Sequence, residues 1–152
     1  MAEQEAAEHS SEPEFDLEQF LPYLLNQAAE ATSRDFESVY REVYGMTRAQ
    51  WRVMANLGKF GSMTARDICA ISHIDKTKVS RAVTALEATQ MLVRSPSEDD
   101  RRAEFLSLTE EGMNAFRDLG RQARKYDAKL RSDLGERVSA DLKRVLAILM
   151  RR

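Results

Sequence analysis

The sequence predicts a mainly α-helical fold that contains one small β-hairpin. Apolar residues recur at spacings of three and four over most of the chain, which is typical of amphipathic helices. Capping motifs mark the starts of several of these helices. A short segment with alternating apolar residues follows the third capped helix, as in a half-buried strand. At 152 residues, the chain has room for one compact domain with helical extensions.

A long first helix is predicted from Phe20 to about Val43, because the apolar residues between them follow helical periodicity. Gly45 is expected to end this helix, since glycine adopts a positive φ at little cost. We assign residues 16–45 to this element. Residues 1–15 are rich in Glu, Ala and Ser and offer little apolar surface to bury, so they are expected to be a disordered acidic lead.

Three short helices are predicted next, each from the residue that caps its start. Thr47 and Thr64 each stand three residues before a side chain that can return the hydrogen bond, which forms a capping box. Asp75 can cap the third helix in the same way. Residues 72–74 leave room only for a tight connection between the second and third helices. Two short helices joined by such a turn form a helix-turn-helix.

A β-hairpin is predicted directly after this helix pair. Residues 91–94 and 104–108 have the composition of short strands, and the second shows apolar alternation. The loop between them, residues 95–102, is polar and charged. A hairpin in this position is a wing, so residues 46–108 are expected to form a winged helix-turn-helix lobe.

Two further helices follow the wing. Thr109 is expected to cap a long helix that Gly135 ends, and Ser139 is expected to begin the last helix. The long helix carries an apolar seam of nearly two heptads. The residues of this seam are Phe116, Leu119, Ala123, Tyr126, Leu130 and Leu134.

The terminal helices carry apolar faces that the central lobe does not need for its own core. Monomers rarely leave large apolar faces in water. We therefore expect residues 16–45 and 109–152 to be dimerisation helices that pair two copies across a two-fold axis. Folding back on the same chain as a small monomeric bundle is the alternative.

The distribution of charge favours a nucleic-acid partner even though the net charge is −2. The first 20 residues contain seven acidic residues and no Lys or Arg, whereas residues 45–94 contain eight basic and three acidic residues. A local positive field of this kind suits contact with phosphates. The sequence lacks a signal peptide and the roughly 20 apolar residues of a membrane span, so a cytoplasmic protein without membrane contact is expected. With only Cys69, His9 and His73 as soft ligand types, we expect no metal and no cofactor.

The third short helix is the predicted DNA-recognition helix. Its apolar residues face inward, so its outward positions carry basic and hydroxyl side chains, which read base edges and contact phosphates in a major groove. We expect Arg81 to contact a guanine, Thr77 and Lys78 to lie near base edges, and Lys76 and Ser80 to contact phosphates. A solvated surface is the alternative interpretation. The outward set is Lys76, Thr77, Lys78, Ser80, Arg81 and Thr84.

The wing supplies further candidate contacts. Asp100 and Arg102 stand two residues apart, so in a hairpin they can point the same way. We expect Asp100 to orient the Arg102 guanidinium toward a narrow minor groove, and Arg94 and Arg101 to contact phosphates. Alternatively, the acidic residues of the loop simply neutralise these arginines.

Four segments resemble the multiple-antibiotic-resistance regulator (MarR) family, and the resemblance covers roughly residues 17–150. It implies an obligate dimer that binds a pseudo-palindromic operator and usually represses its own or a neighbouring operon. Many members release DNA when a small phenolic or aromatic acid binds between the dimerisation helices and the DNA-binding lobe. By this match Arg102 resembles the minor-groove arginine, and Arg81 lies on the recognition helix. The similar segments are residues 50–54, 74–83, 100–102 and 106–112.

The chain departs from the family at two positions. Gln90 stands where the family commonly has glycine, so either this residue is left-handed, at a cost of about 1 kcal/mol, or the turn differs. Tyr23 is followed by Leu24 rather than by the arginine that some aromatic-acid sensors place there, which argues against carboxylate sensing. A pocket is expected where the first helix meets the second helix and the long helix, although core packing or a surface role is the alternative for each candidate. The candidates are Tyr23, Gln27, Arg34, Tyr40, Trp51 and Arg52.

The sequence therefore indicates a dimeric transcriptional repressor that a small ligand releases from double-stranded operator DNA. A protein-interaction module without an operator is a second class, and the outward Lys76, Lys78 and Arg81 argue against it. An enzyme that uses a winged helix to dimerise is a third class. Such an enzyme needs a glycine-rich phosphate or nucleotide loop, and the six glycines of this chain form no such cluster. We expect no enzymatic activity.

Overall fold

The computed structural model describes residues 13–100 and 102–151. Most of the expected acidic lead, residues 1–12, lies outside the described residues. The chain divides into two compact units, of which the first ends at Arg34 and the second begins at Asp35. The first unit contains a 3-10 turn, Leu17–Gln19, and the beginning of the first helix.

Six helices and three strands make up the described elements. They are α1 (Leu21–Tyr44), α2 (Arg48–Phe60), β1 (Met63–Thr64), α3 (Ala65–Ser72), α4 (Lys76–Ala88), β2 (Leu92–Pro96), β3 (Glu104–Leu108), α5 (Glu110–Leu134) and α6 (Glu136–Leu149). The strands form one antiparallel sheet in the order β1-β3-β2. The predicted class, mainly α with a small β wing, is confirmed.

The helices begin where their capping residues indicate. The capping boxes at Thr47 and Thr64 are both complete, and Asp75 accepts a hydrogen bond from the Lys78 N–H at 3.0 Å. Thr109 caps α5. After the last residue of α1, Gly45 has a φ of 63° and donates its N–H to the Arg41 carbonyl at 2.9 Å, which ends the helix.

The sheet contains a strand that the sequence analysis missed. Met63 and Thr64 pair with Leu106 and Phe105 of β3, so the sheet has three strands and the predicted hairpin is only two of them. A two-residue strand is too short to show alternation, and its partner lies more than 40 residues away. Met63 is buried against the core, which fixes this pairing.

The core lies in the second unit, between the three short helices and the sheet. α4 contributes its inward face to this core, and α2, α3, β2 and β3 surround it. The inward residues of α4 are Val79, Ala82, Val83 and Leu86. Burying a valine or leucine side chain contributes about 1.5–3 kcal/mol, so this face holds α4 firmly in place.

Much of the seam predicted for α5 packs on the core of its own chain. Leu119 is fully buried, and Phe116, Ala123 and Tyr126 pack against the same core. Leu134, at the end of α5, is exposed. Helical periodicity reveals an apolar face but not the surface that covers it. The sequence therefore could not show which seam residues pack on the core of their own chain and which stay exposed.

The last helix begins earlier than expected. α6 starts at Glu136, and Gly135, with a φ of 82°, separates it from α5. The prediction that Ser139 starts the helix is wrong, since Ser139 lies one turn inside it and is buried. Among the helices of the described ranges, none is both long and apolar enough to cross a membrane.

Candidate nucleic-acid interface

The outward face of α4 is exposed along its whole length. All six side chains predicted to face DNA are exposed, while the four inward residues are buried. The Asp75 carboxylate caps the helix and also lies 3.5 Å from the Lys78 ammonium. The hydrogen bond from the Lys78 backbone N–H is the main reason that the pKa of Asp75 is lowered, and the Lys78 charge adds to this effect. The face thus presents basic and hydroxyl groups from Lys76 to Thr84, with Asp75 at the helix cap.

The turn before α4 is fixed by two main-chain contacts. His73 has a left-handed φ of 54° and donates its N–H to the Cys69 carbonyl at 3.0 Å, which ends α3. The Arg52 guanidinium of α2 donates to the Ser72 carbonyl. Burial, and then repulsion from Arg48, lower the pKa of Arg52. Arg52 thereby ties the second helix to the turn that leads into the recognition helix.

The wing is a regular antiparallel pair whose register runs from Leu92 opposite Leu108 to Pro96 opposite Glu104. At its tip Asp100 Oδ1 accepts a hydrogen bond from the backbone N–H of Arg102 at 2.9 Å. The observed contact is therefore to the main chain of Arg102, whereas the sequence analysis expected one to its guanidinium. Such local bonds are typical of aspartate in turns. The Arg102 side chain is exposed, and Arg101 lies outside the described residues.

Arg94, expected to contact phosphate, is engaged by two carboxylates. Its Nε lies 3.0 Å from Glu87 of α4, and its Nη1 lies 3.2 Å from Glu104 of β3. Its Nη2 lies 3.5 Å from the hydroxyl of Thr84. The hydrogen bond to Glu87 is the main cause that raises the pKa of Arg94. The sequence analysis missed this arrangement because the partners lie seven and ten residues away on other elements.

Two of the six candidate ligand residues form an aromatic cluster within the core. The rings of Tyr40 and Trp51 stack with centroids 6.1 Å apart, and Phe36 lies 5.8 Å from Trp51. Phe36 also lies 5.4 Å from Tyr126 of α5. This arrangement matches the core-packing alternative for Tyr40 and Trp51.

Four candidates remain. Tyr23, Gln27 and Arg34 belong to α1 in the first unit, where Arg34 lies 3.9 Å from Glu30. Arg52 alone of the six lines a cavity of about 470 Å³ at the start of the helix-turn-helix. The lining residues are Glu37, Thr47, Arg48, Ala49, Arg52, His73, Ile74, Asp75 and Lys78. The spacing of Arg48 and Arg52, one helical turn apart on α2, was the available sequence signal for this site.

Comparison with known proteins finds a family model that matches part of the chain and relatives that are transcriptional regulators. The family model described as the MarR family matches residues 44–103. The HTH-type transcriptional regulator FarR of Neisseria gonorrhoeae is 29% identical over 126 residues, which cover 82% of this chain and 85% of FarR. The HTH-type transcriptional repressor MdtR of Bacillus subtilis is 34% identical over 84 residues, or 54% of each chain.

A solved structure agrees with these relatives. The crystal structure of NadR in complex with 4-hydroxyphenylacetate is 26% identical, with a TM-score of 0.75, and the match covers 91% of this chain and 97% of NadR. The region that the family model matches contains α4 and the first strand of the wing, β2. These matches make the chain similar to winged helix-turn-helix transcriptional regulators of the MarR family.

Proposed function

We propose that this regulator is a homodimeric repressor that binds a pseudo-palindromic operator and is released from it by a small ligand. The observation that carries the proposal is the exposed basic face of α4, which stands on a fully buried inner face and is followed directly by the wing. The name of its relative MdtR describes a repressor. Members of this family are DNA-binding proteins and not enzymes, in agreement with the sequence analysis.

In the proposed complex α4 lies in the major groove. Arg81 pairs with a guanine edge, and Thr77 and Lys78 lie near neighbouring bases. Lys76 and Ser80 contact phosphates and so fix the register of the helix on the duplex. Thr84 lies one turn further along the same face.

The wing tip contacts the adjacent minor groove. Arg102 supplies the guanidinium that enters the groove, where a narrow width strengthens the negative potential. Asp100 shapes the turn through the Arg102 main chain, which sets the direction of the side chain. Arg101 contacts a phosphate beside it.

Dimerisation through the terminal segments, residues 16–45 and 109–152, completes the proposal. The last helix exposes an apolar face that a partner would cover, and the segment before α1 is also apolar and exposed. A two-fold axis would set two recognition helices about 34–36 Å apart, which matches half-sites one helical turn apart. The exposed apolar residues of these segments include Leu17, Phe20, Leu21, Leu24, Val138, Leu142, Val145, Leu146 and Ile148, and Phe15 lies just before the first segment.

The cavity at the start of the helix-turn-helix is the proposed effector site. It is lined by Arg48, Arg52 and His73 and also by the first turn of α4, so an occupant would contact the recognition helix directly. NadR, a relative of similar fold, binds 4-hydroxyphenylacetate. We propose a small phenolic or aromatic acid as the ligand, held by the two arginines, whose occupancy shifts α4 away from the operator geometry.

The experiment is a footprint on the DNA upstream of the gene, with and without a panel of phenolic acids. Arg81→Ala is expected to lower discrimination between operator and random duplex by about 1–3 kcal/mol, because a bidentate guanine contact is lost. Arg124→Ala removes an exposed arginine from α5 and serves as the matched control. If Arg81→Ala discriminates as well as the parent, the assignment of the recognition helix is wrong. If the parent shows no salt-dependent duplex binding, the protein-interaction alternative is favoured.

A further inference from the structure

Arg94 connects three elements of the DNA-binding lobe. It lies on β2, and its guanidinium reaches Glu87 in the last turn of α4 and Glu104 at the start of β3. A third contact, at 3.5 Å, joins it to the hydroxyl of Thr84 on the outward face of α4. One side chain therefore contacts the recognition helix and both strands of the wing.

The register of the sheet places Arg94 on the face that packs toward α4. Leu92 and Arg94 stand two residues apart on β2 and so share one face of the sheet, and Leu92 is buried. Arg94 stands opposite Leu106, which is buried in the core. The Arg94 side chain therefore lies on the inner side of the sheet, and 32% of it is exposed. A DNA phosphate that approached the outer side of the wing would therefore contact residues other than Arg94.

The geometry suits an arginine in particular. Its planar fork donates through Nε to one carboxylate and through Nη1 to another, at 3.0 and 3.2 Å. Glu87 and Glu104 are 44% and 56% exposed, so neither pair by itself contributes much to the stability of the fold. Because Glu87 belongs to α4 and Glu104 belongs to β3, the two ion pairs together fix the orientation of the wing relative to α4.

We propose that Arg94 is a positioning residue for DNA binding, and that its bridge between Glu87 and Glu104 holds the wing at the angle that lets wing and recognition helix enter adjacent grooves together. The inference rests on the proposed function. It replaces the sequence-based expectation that Arg94 contacts phosphate. It also gives the acidic residues Glu87 and Glu104 a role that supports DNA binding.

The two roles for Arg94 predict opposite effects when the carboxylates are neutralised. If Arg94 contacts phosphate, Glu87→Gln and Glu104→Gln release its charge and remove repulsion, so binding becomes tighter. If Arg94 is a bridge, the same substitutions free the wing and binding becomes weaker. Arg94→Lys separates the roles again, because lysine also binds phosphate as a point charge but lacks the fork that joins two carboxylates.

The experiment measures operator binding by fluorescence anisotropy over a series of salt concentrations, together with footprints of both grooves. We expect the Glu87→Gln, Glu104→Gln double variant and Arg94→Lys each to weaken operator binding about tenfold. Minor-groove protection under the wing is lost, while protection of guanine N7 by α4 is retained. The Glu98→Gln, Asp99→Asn double variant, which makes the same change of charge in the wing loop, is the control and is expected to bind as tightly as the parent or more tightly. Melting temperatures close to the parent value confirm that the variants fold.

Equal or tighter binding by the double variant would overturn the inference while leaving the proposed function intact. So would a fall of about 0.9 in the salt slope of Arg94→Gln with both footprints unchanged, which is the signature of one lost phosphate contact. If the parent protein itself shows no salt-dependent binding to the duplex, the proposed function fails and the inference with it.

Discussion

Two residues other than glycine adopt left-handed backbone on either side of the recognition helix. His73, before α4, has a φ of 54°, and Gln90, after it, has a φ of 60°. The Gln90 carbonyl accepts a hydrogen bond from the hydroxyl of Thr109 at 2.7 Å, which ties this turn to the start of α5. The left-handed alternative for Gln90 in the sequence analysis is confirmed. Both turns that orient α4 thus carry some backbone strain.

Gln90→Gly is expected to stabilise the fold by up to about 1 kcal/mol. Glycine removes the left-handed penalty and keeps the carbonyl that Thr109 bonds, although it also gives the unfolded chain more freedom. Denaturant unfolding of the two proteins measures the difference. Thr89→Gly is the control, because Thr89 has an ordinary φ of −90° and its replacement should destabilise the fold. A loss of stability in both variants would show that Gln90 is not strained.

The cap of the recognition helix should make stability depend on pH in the acid range. The pKa of Asp75 is lowered in the folded state, mainly by the Lys78 N–H. Its stabilisation is therefore present above the ordinary aspartate pKa of about 3.9 and is lost as the pH falls through the lower folded value. Asp75→Asn keeps a capping oxygen but is neutral at every pH. We expect the difference in unfolding free energy between parent and variant to shrink from pH 6 to pH 3, and a difference independent of pH would contradict this.

At the scale of elements, the start of α5 fits against the turn that follows α4. Thr109 donates its N–H to the Met91 carbonyl at 3.1 Å, and its hydroxyl accepts from Gly112 at 3.0 Å. A Cβ on Gly112 would lie 2.0 Å from the Met91 carbonyl oxygen, which is too close for any side chain. The long helix can approach the wing base this closely only because residue 112 is glycine.

Gly112→Ala is expected to destabilise the protein by about 1–3 kcal/mol, since backbone atoms must move to admit the methyl group. Gly120→Ala, on the same helix, is the matched control. No atom lies within 4 Å of a Cβ at Gly120, so the gain in helix propensity should stabilise by up to about 1 kcal/mol. Thermal or denaturant unfolding of both variants measures whether the two substitutions change the stability of the protein in opposite directions. Equal effects of the two substitutions on stability would mean that the backbone at Met91 moves away from the added methyl group at little cost.

At the scale of the whole molecule, apolar surface and charge are segregated along the chain. Exposed apolar side chains are concentrated before α1 and on α6, where Leu142 and Val145 are 43% and 47% exposed. α4 carries three basic side chains and one acidic one, while the acidic excess of the chain lies in the first 20 residues. This division matches the proposed roles of the termini in dimerisation and of the lobe in DNA binding.

Leu142→Asp combined with Val145→Asp is expected to produce monomers. Each substitution removes about 2 kcal/mol of apolar burial from the proposed interface, which raises the dissociation constant roughly thirtyfold per site. Analytical ultracentrifugation measures the association, and operator binding should fall with it. Lys143→Gln changes the charge of the same helix by one unit and should leave the dimer intact. Unaltered association of the double variant would place the interface elsewhere.

Features that depend on neighbours within a few residues were readable from the sequence. The caps at Thr47, Thr64 and Asp75 lie three residues from their partners, so pattern alone located three helices of the lobe. The two faces of α4 followed from helical periodicity in the same way. The amino-acid sequence alone therefore determined which charged side chains the recognition helix turns outward.

Only the tertiary structure decided the features that join distant segments. β1 pairs with β3, the first four of the six α5 seam residues pack on the core of their own chain, and Arg94 reaches Glu87 and Glu104 on other elements. A sequence pattern shows which side chains share a face, because local geometry repeats every two or 3.6 residues. It does not show which other face they meet, since that depends on how the whole chain packs.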